Sequence, residues 1–267
     1  MATNRHVANF AANRAIRSVI VGVAGDSARQ KTAVVTGAGG SVGSSVVRSL
    51  VQQGWRVLAV VRAYDDAKQL NAIHDVEAFT LDLLQTDDLL SWAQELSARE
   101  SSGIDLLVHV AAIAVVGKAA QATADDWDSV LKTNIIAPSL LTAGLLPSIR
   151  TVKGTVIFIN SGAGERAVAN HSIYAASKHA LRGYADTLRL EESSNGVRVS
   201  TVYPGQINTK MLHAINARLG IEFVPQDYID PQTVANAVIW IAQSGDDVQV
   251  TNVDLRPRQE IAAAFNM

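Results

Sequence analysis

An apolar run, Ala33-Val34-Val35, leads into Thr36-Gly37-Ala38-Gly39-Gly40-Ser41-Val42-Gly43. A helix-like pattern then runs from Val42 to Gln53, with Gly54 as its stop. Strand, glycine loop and helix in that order open a βαβ unit. Glycines allow the tight turn and let backbone come close to a pyrophosphate, and a helix N-terminus adds free N–H groups. Gly37, Gly39, Gly40, Ser41, Val42 and Gly43 are therefore candidate dinucleotide-binding residues.

The alternation continues along the chain. Strands are expected at 56–61, 76–81, 104–110, 156–160, 197–202 and 248–255, and helices at 65–73, around Trp92 and Leu96, at 125–146, 172–193 and 230–243. Pro147 is expected to stop the long helix, and 206–227 reads as one irregular stretch with the character of a lid. Ile104 to Val110 is almost continuously apolar, as in a parallel sheet covered on both faces. The expectation is an α/β, three-layer, doubly wound Rossmann fold with a mostly parallel seven-stranded sheet, spanning 31–267 after an extension over 1–30. Ligands in such sheets bind at the carboxyl ends of the strands.

Tyr174 and Lys178 stand four apart in Tyr174-Ala175-Ala176-Ser177-Lys178, so a helix carries them on one face. An ammonium beside a phenol favours the phenolate, which draws the tyrosine pKa below about 10. That pair is suited to protonate a carbonyl oxygen as hydride reaches the carbon. Tyr64 and Lys68 share the spacing, but thirteen residues before Tyr64 lies Val51, whereas the same offset before Tyr174 gives Ser161. Ser161 supplies a hydroxyl to hold a substrate oxygen, at the end of the apolar run Ile157-Phe158-Ile159.

Bulk properties fit a soluble enzyme. The chain has 267 residues, a formal net charge of −2 and no cysteine. No basic face points to nucleic acid, thiol chemistry is excluded, and the six histidines lack metal-ligand spacing, so no metal is expected. The longest apolar run, 104–117, is interrupted by Asp105 and His109 and is too short for a membrane span. The expected location is the cytoplasm. The Arg-rich, acid-poor first thirty residues also have the composition of an organelle transit peptide, and residues 1–28 are expected to be dispensable for catalysis.

With these motifs in view, the chain resembles the short-chain dehydrogenase/reductase family, in its compact one-domain branch, from about Thr32 to Pro257. Ser161, Tyr174 and Lys178 match that branch's triad in type and spacing, and Asn134 in Trp127-Asp128-Ser129-Val130-Leu131-Lys132-Thr133-Asn134 matches its fourth residue. The resemblance implies that Lys178 also bonds the nicotinamide ribose and that Asn134 holds a water linking Lys178 to solvent. In Tyr203-Pro204-Gly205-Gln206-Ile207-Asn208-Thr209 it implies that Pro204, Gly205, Ile207 and Thr209 border the nicotinamide. Ser41 stands where the branch has glycine, and His109-Val110-Ala111-Ala112 replaces its Asn-Asn-Ala-Gly, with Ala111 kept as a cofactor neighbour. Those two departures are closer to the extended branch of sugar-nucleotide epimerases and dehydratases. The serine offset, Asn134, Pro204-Gly205 and the short chain after Tyr174 argue for the compact one. A non-catalytic dinucleotide sensor is the other alternative.

The second strand ends where this fold reads the adenosine ribose. Val61 offers no carboxylate there and Arg62 offers a guanidinium suited to a 2′-phosphate, so NADP(H) is expected over NAD(H). Alternatively Arg62 is a solvated surface charge. Asp82 either accepts from the adenine amino group or caps a helix. His109 is expected to be a core histidine bonded to backbone. The substrate, a small carbonyl or alcohol compound, is expected against Val115, Val116, Gly162, His171, Met211 and the 206–227 stretch. The helix from Tyr174 to Glu191 has an Ala/Leu/Gly-rich face, and the family resemblance implies that such helices pair between subunits, so a homodimer or homotetramer is expected.

Overall fold

The computed structural model describes residues 29–259, and expectations for 1–28 and 260–267 lie outside the described residues. Among the described residues, 31–259 form one compact unit. Its seven strands are β1 (Thr32–Thr36), β2 (Arg56–Val61), β3 (Val76–Thr80), β4 (Leu106–His109), β5 (Thr155–Ile159), β6 (Arg198–Pro204) and β7 (Asn252–Leu255). They form a single sheet in the order β3-β2-β1-β4-β5-β6-β7, and every pairing is parallel. The order reverses between β1 and β4, which leaves a crevice at their carboxyl ends.

The period-two side-chain alternation of a strand sends neighbours into opposite layers. Ala33 and Val35 of β1 and Leu106 and Val108 of β4 pack with helices α1 (Ser41–Gln52) and α8 (Pro231–Ala242). Val34 and Leu107 pack on the other face, with α3 (Leu89–Arg99) and α5 (Ala137–Thr151). The remaining helices are α2 (Tyr64–Leu70), α4 (Ala124–Leu131), α6 (Ser172–Glu192) and α7 (Lys210–Leu219). The continuous helical stretch 124–151 is long and apolar enough to cross a membrane by length and composition, yet it packs inside the domain through Leu141, Leu145 and Ile149.

Three expectations need correction. Pro147 does not stop the long helix, since α5 continues to Thr151. Proline at an interior position costs about 3 kcal/mol. Here burial of Leu145, Ser148 and Ile149 around it offsets that cost, and the Ser148 hydroxyl donates to the Glu100 carbonyl at 2.6 Å. The 206–227 stretch is not irregular throughout, because α7 occupies its centre, N-capped by Thr209 and closed by Gly220 in the left-handed region at φ 68°. The last strand begins only at Asn252, because the Gln249 side chain, rather than a ladder, bonds both the N–H and the C=O of Val199.

Candidate active site

The sheet topology brings the glycine loop, the β4 exit, the β5 end, α6 and the β6 exit to one edge. There a cleft of about 480 Å³ is lined by Gly37, Gly39, Gly40, Ser41, Val42, Gly43, Arg62, Asp82, Ala111, Ser161, Tyr174, Lys178, Pro204, Gly205, Ile207 and Thr209. Every residue expected to touch a dinucleotide is thus on one wall system. Asn134 is the exception among the expected site residues, lying fully buried behind that wall. A second chamber of about 320 Å³ adjoins the first, and Ser161 and Tyr174 line both. Lys178 lines only the first.

The first chamber has the makings of a phosphate cradle. Gly37 adopts φ +66°, and a Cβ on it would come within 2.8 Å of the Ala111 backbone. The twelve-residue helix α1 starts at the cleft with no side-chain cap and no acid in its first turn, so its N–H groups and dipole face the space unopposed. A nicotinamide dinucleotide fits these features: a pyrophosphate on the α1 terminus and a nicotinamide toward Tyr174 and Lys178. Val61 is buried at the end of β2 and Arg62 is exposed, with no charged partner among the described residues. Asp82 is not a helix cap, since its carboxylate accepts from the Leu84 N–H at 3.1 Å in a local turn.

Ser161 stands two residues beyond the end of β5, and its hydroxyl oxygen accepts from the Ala163 N–H at 3.2 Å. Tyr174 and Lys178 rise from the first turns of α6. The Lys178 ammonium donates to the Ile159 carbonyl at 3.0 Å and stands 5.7 Å from the Tyr174 ring centre. Burial pushes the Lys178 pKa down to about 8. The Tyr174 pKa is raised, not lowered as expected from its neighbour: burial raises it, and a hydrogen bond with the Ser161 hydroxyl offsets this only in part. Desolvation of the phenol itself thus decides the direction.

Asn134 sits in a π-helical turn, Lys132–Ile136, between α4 and α5. Such single turns aim side chains that a regular helix would misdirect. Its amide nitrogen donates to the Ile113 carbonyl at 2.9 Å and the Ser177 hydroxyl at 3.0 Å, and its oxygen accepts from the Ile113 N–H at 2.9 Å. Asn134 therefore ties the β4 exit to α6. Sequence reasoning missed a second tie, Asn160. Its oxygen accepts from the Ser161 N–H at 2.8 Å and its amide donates to the Lys178 carbonyl at 3.0 Å, which fixes the distance between β5 and α6. Its position beside the serine was the available signal.

The second chamber contains Gly162, His171 and Met211 as expected, but not Val115 or Val116; Val116 is turned into the protein and nearly fully buried. Arg166 and Arg256, which were not expected, also line it, together with Gln206, Leu212 and Ile215 of the expected 206–227 stretch. His109 also departs from expectation. Its Nε2 bonds the Thr142 hydroxyl at 2.9 Å rather than backbone, and its ring stacks on Phe158 at 5.0 Å.

Burial pushes the His109 pKa down to about 3 from an ordinary 6.5. Between those values the unfolded chain holds a proton that the folded one lacks, so this residue erodes stability as pH falls from 6.5 toward 3. The slope approaches about 1.4 kcal/mol per pH unit. Urea unfolding at stepped acid pH should show this slope, and His109→Gln should lack it. An unchanged slope in the variant would contradict the assignment.

A family profile described as short chain dehydrogenase matches residues 31–220. The chain belongs to the short-chain dehydrogenase/reductase family. It is 27% identical over 251 residues to Dehydrogenase/reductase SDR family member 11 of Bos taurus, covering 87% of this chain and 98% of that one. It is 28% identical over 236 residues to an uncharacterised oxidoreductase of Staphylococcus aureus (strain N315), covering 85% and 97%. Among solved structures, a metagenomic short-chain oxidoreductase in complex with NADP aligns with TM-score 0.72 and 27% identity over 86% of this chain and 98% of its own. A tryptophan variant of actinorhodin polyketide ketoreductase with NADPH aligns with TM-score 0.77 at 23% identity, over 85% and 96%, and shares the fold. This short-chain dehydrogenase/reductase is accordingly an oxidoreductase with a parallel seven-stranded Rossmann domain.

Proposed function

We propose that the chain is an NADP(H)-dependent oxidoreductase that moves hydride between nicotinamide and a carbonyl or alcohol carbon, with Tyr174 as general acid and base. One observation carries this reading: Ser161 and Tyr174 line both chambers, whereas Lys178 opens only toward the glycine loop. The bound nicotinamide supplies or accepts the hydride. Ser161 holds the substrate oxygen, and Tyr174 delivers its hydroxyl proton to that oxygen during reduction. Burial keeps Tyr174 protonated at neutral pH, in the form that donates. Lys178 then offsets the charge that the departing proton leaves on the phenol. Asn134 acts as a positioning residue with both N–H bonds taken, and the Thr209 oxygen caps α7 while its O–H stays available for the carboxamide. Exposed Leu190 on α6 is consistent with a homo-oligomer. Oxidation of NADPH by a panel of ketones tests the reading against a binding-only sensor and an epimerase, neither of which consumes it stoichiometrically.

The cofactor preference rests on Arg62 and on the missing acid at Val61. The NADP bound to the metagenomic relative supports it. Asp66 also lines the cleft, its carboxylate 2.7 Å from where a Cβ on Gly39 would sit. That second charge weakens the field of Arg62, so the preference is modest. The kcat/KM and Kd should both favour NADPH in wild type, and Val61→Asp with Arg62→Ala should reverse the order. Equal use of NADH by wild type would refute this.

A further inference from the structure

The second chamber carries two cations and no acid on its lining. Its arginines, Arg166 and Arg256, converge on Gly162, the residue next to Ser161. A Cβ on Gly162 would collide with the Arg256 Nη1 and would sit 3.5 Å from the Arg166 Nη2. Glycine here therefore keeps open the point where both guanidinium groups meet. Arg256 is held from behind, with its Nη2 on Asp254 at 2.7 Å and Glu165 at 3.1 Å. Its Nη1 is buried and has no hydrogen-bond partner among the described residues. Arg166 is exposed and has no acidic partner among them. A buried N–H left without an acceptor costs about 1–3 kcal/mol, more for a charged group. A held fork and an unpaired second fork thus face one point beside Ser161.

We propose that the substrate is an oxo acid, or the matching hydroxy acid, whose carboxylate lies between Arg166 and Arg256. This rests on the reductase reading above and names its substrate class. Planar guanidinium forks match a carboxylate geometrically. Asp254 and Glu165 both bond Arg256, so the uncompensated charge is that of Arg166, and a monoanion suits the site better than a dianion such as a phosphate ester. Adjacent Cα atoms are about 3.8 Å apart, so the anchor over Gly162 stands close to the Ser161 hydroxyl and the carboxylate is separated from the carbonyl by a short spacer. Ala114, Val168, Met211 and Ile215 leave apolar room for the rest of the chain. On reduction the carbonyl carbon gains the hydride and its oxygen gains the Tyr174 proton. The hydroxy acid leaves with its carboxylate unchanged.

The test compares acetoacetate and levulinate with their methyl esters, which lack only the charge. Wild type should favour the acids in kcat/KM by about tenfold or more. Arg166→Gln should lower that acid-to-ester ratio about tenfold, mainly through KM, and circular dichroism checks its fold. In parallel, NADP+-saturated protein is titrated calorimetrically with levulinate, which cannot be reduced there. Wild type should bind it and Arg166→Gln should bind it more weakly. Esters turned over as well as acids, or a ratio unchanged in Arg166→Gln, would overturn the anchor while leaving the reductase reading intact. Levulinate binding that depends on Arg166 without turnover of any carbonyl would support the anchor and sink the reductase reading. Neither binding nor turnover would overturn both.

Discussion

Tyr174→Phe should lose at least about a hundredfold in turnover, the usual scale for removing a general acid. The phenyl ring keeps its volume and its edge contact with His171, whose centre is 6.5 Å away, so packing in the second chamber is preserved. Lys178 keeps its bond to the Ile159 carbonyl. Cofactor affinity, measured by quenching of protein fluorescence, should therefore be unchanged, which confines the defect to proton transfer. Tyr64→Phe is the control with the same sequence spacing to a lysine. Tyr64 is 73% exposed at the start of α2, away from Ser161, and its replacement should be silent. Near-normal turnover in Tyr174→Phe, or a dead Tyr64→Phe, would show that the wrong pair had been chosen.

Much of this fold is legible because its central strands are buried on both faces. Leu106, Leu107 and Val108 are all fully buried, so the sequence there is a plain apolar run with no ambiguity of face. Legibility falls at the sheet's edge, where Val248 is 43% exposed and the Gln249 amide replaces strand pairing. Pro147 misleads because propensity is local while the burial that overrides it is tertiary. The α7 helix was readable in principle: Thr209 is a good N-cap and Gly220 a good C-terminal stop. The catalytic residues lie on motifs of fixed spacing, and so could be found. The anion anchor could not. Arg166 and Arg256 are ninety residues apart, and nothing but the approach of the β7 exit to the β5 end brings them over Gly162. The π-helical turn at Asn134 is equally silent in sequence, since no residue type announces it.

Gly43→Ala should be the most damaging small substitution in the cofactor chamber. Gly43 lies in the first turn of α1, directly beneath the loop that begins at Gly37. A Cβ there would run into the Gly37 carbonyl oxygen, and would come within 2.9 Å of the Ala38 Cα. Those are backbone atoms, and the Ala111 backbone stands so close to Gly37 that even a Cβ there would come within 2.8 Å of it, so the loop has little room to shift that way. The loop must therefore lift away from the helix terminus that would hold a pyrophosphate. Overpacking of this kind costs about 1–3 kcal/mol, and occasionally more. For a domain of this size each kcal/mol lowers the melting temperature by about 2–4 °C. Cofactor affinity should drop at least about tenfold, because the N–H groups no longer converge. Gly40→Ala is the graded comparison. Its Cβ would meet only the Gly37 oxygen, at 3.3 Å, and its φ of −76° suits any residue, so its effect should be small on both readouts. If Gly43→Ala bound NADPH as wild type does, the loop would have room that its backbone geometry denies, and the phosphate cradle would have to be sought elsewhere.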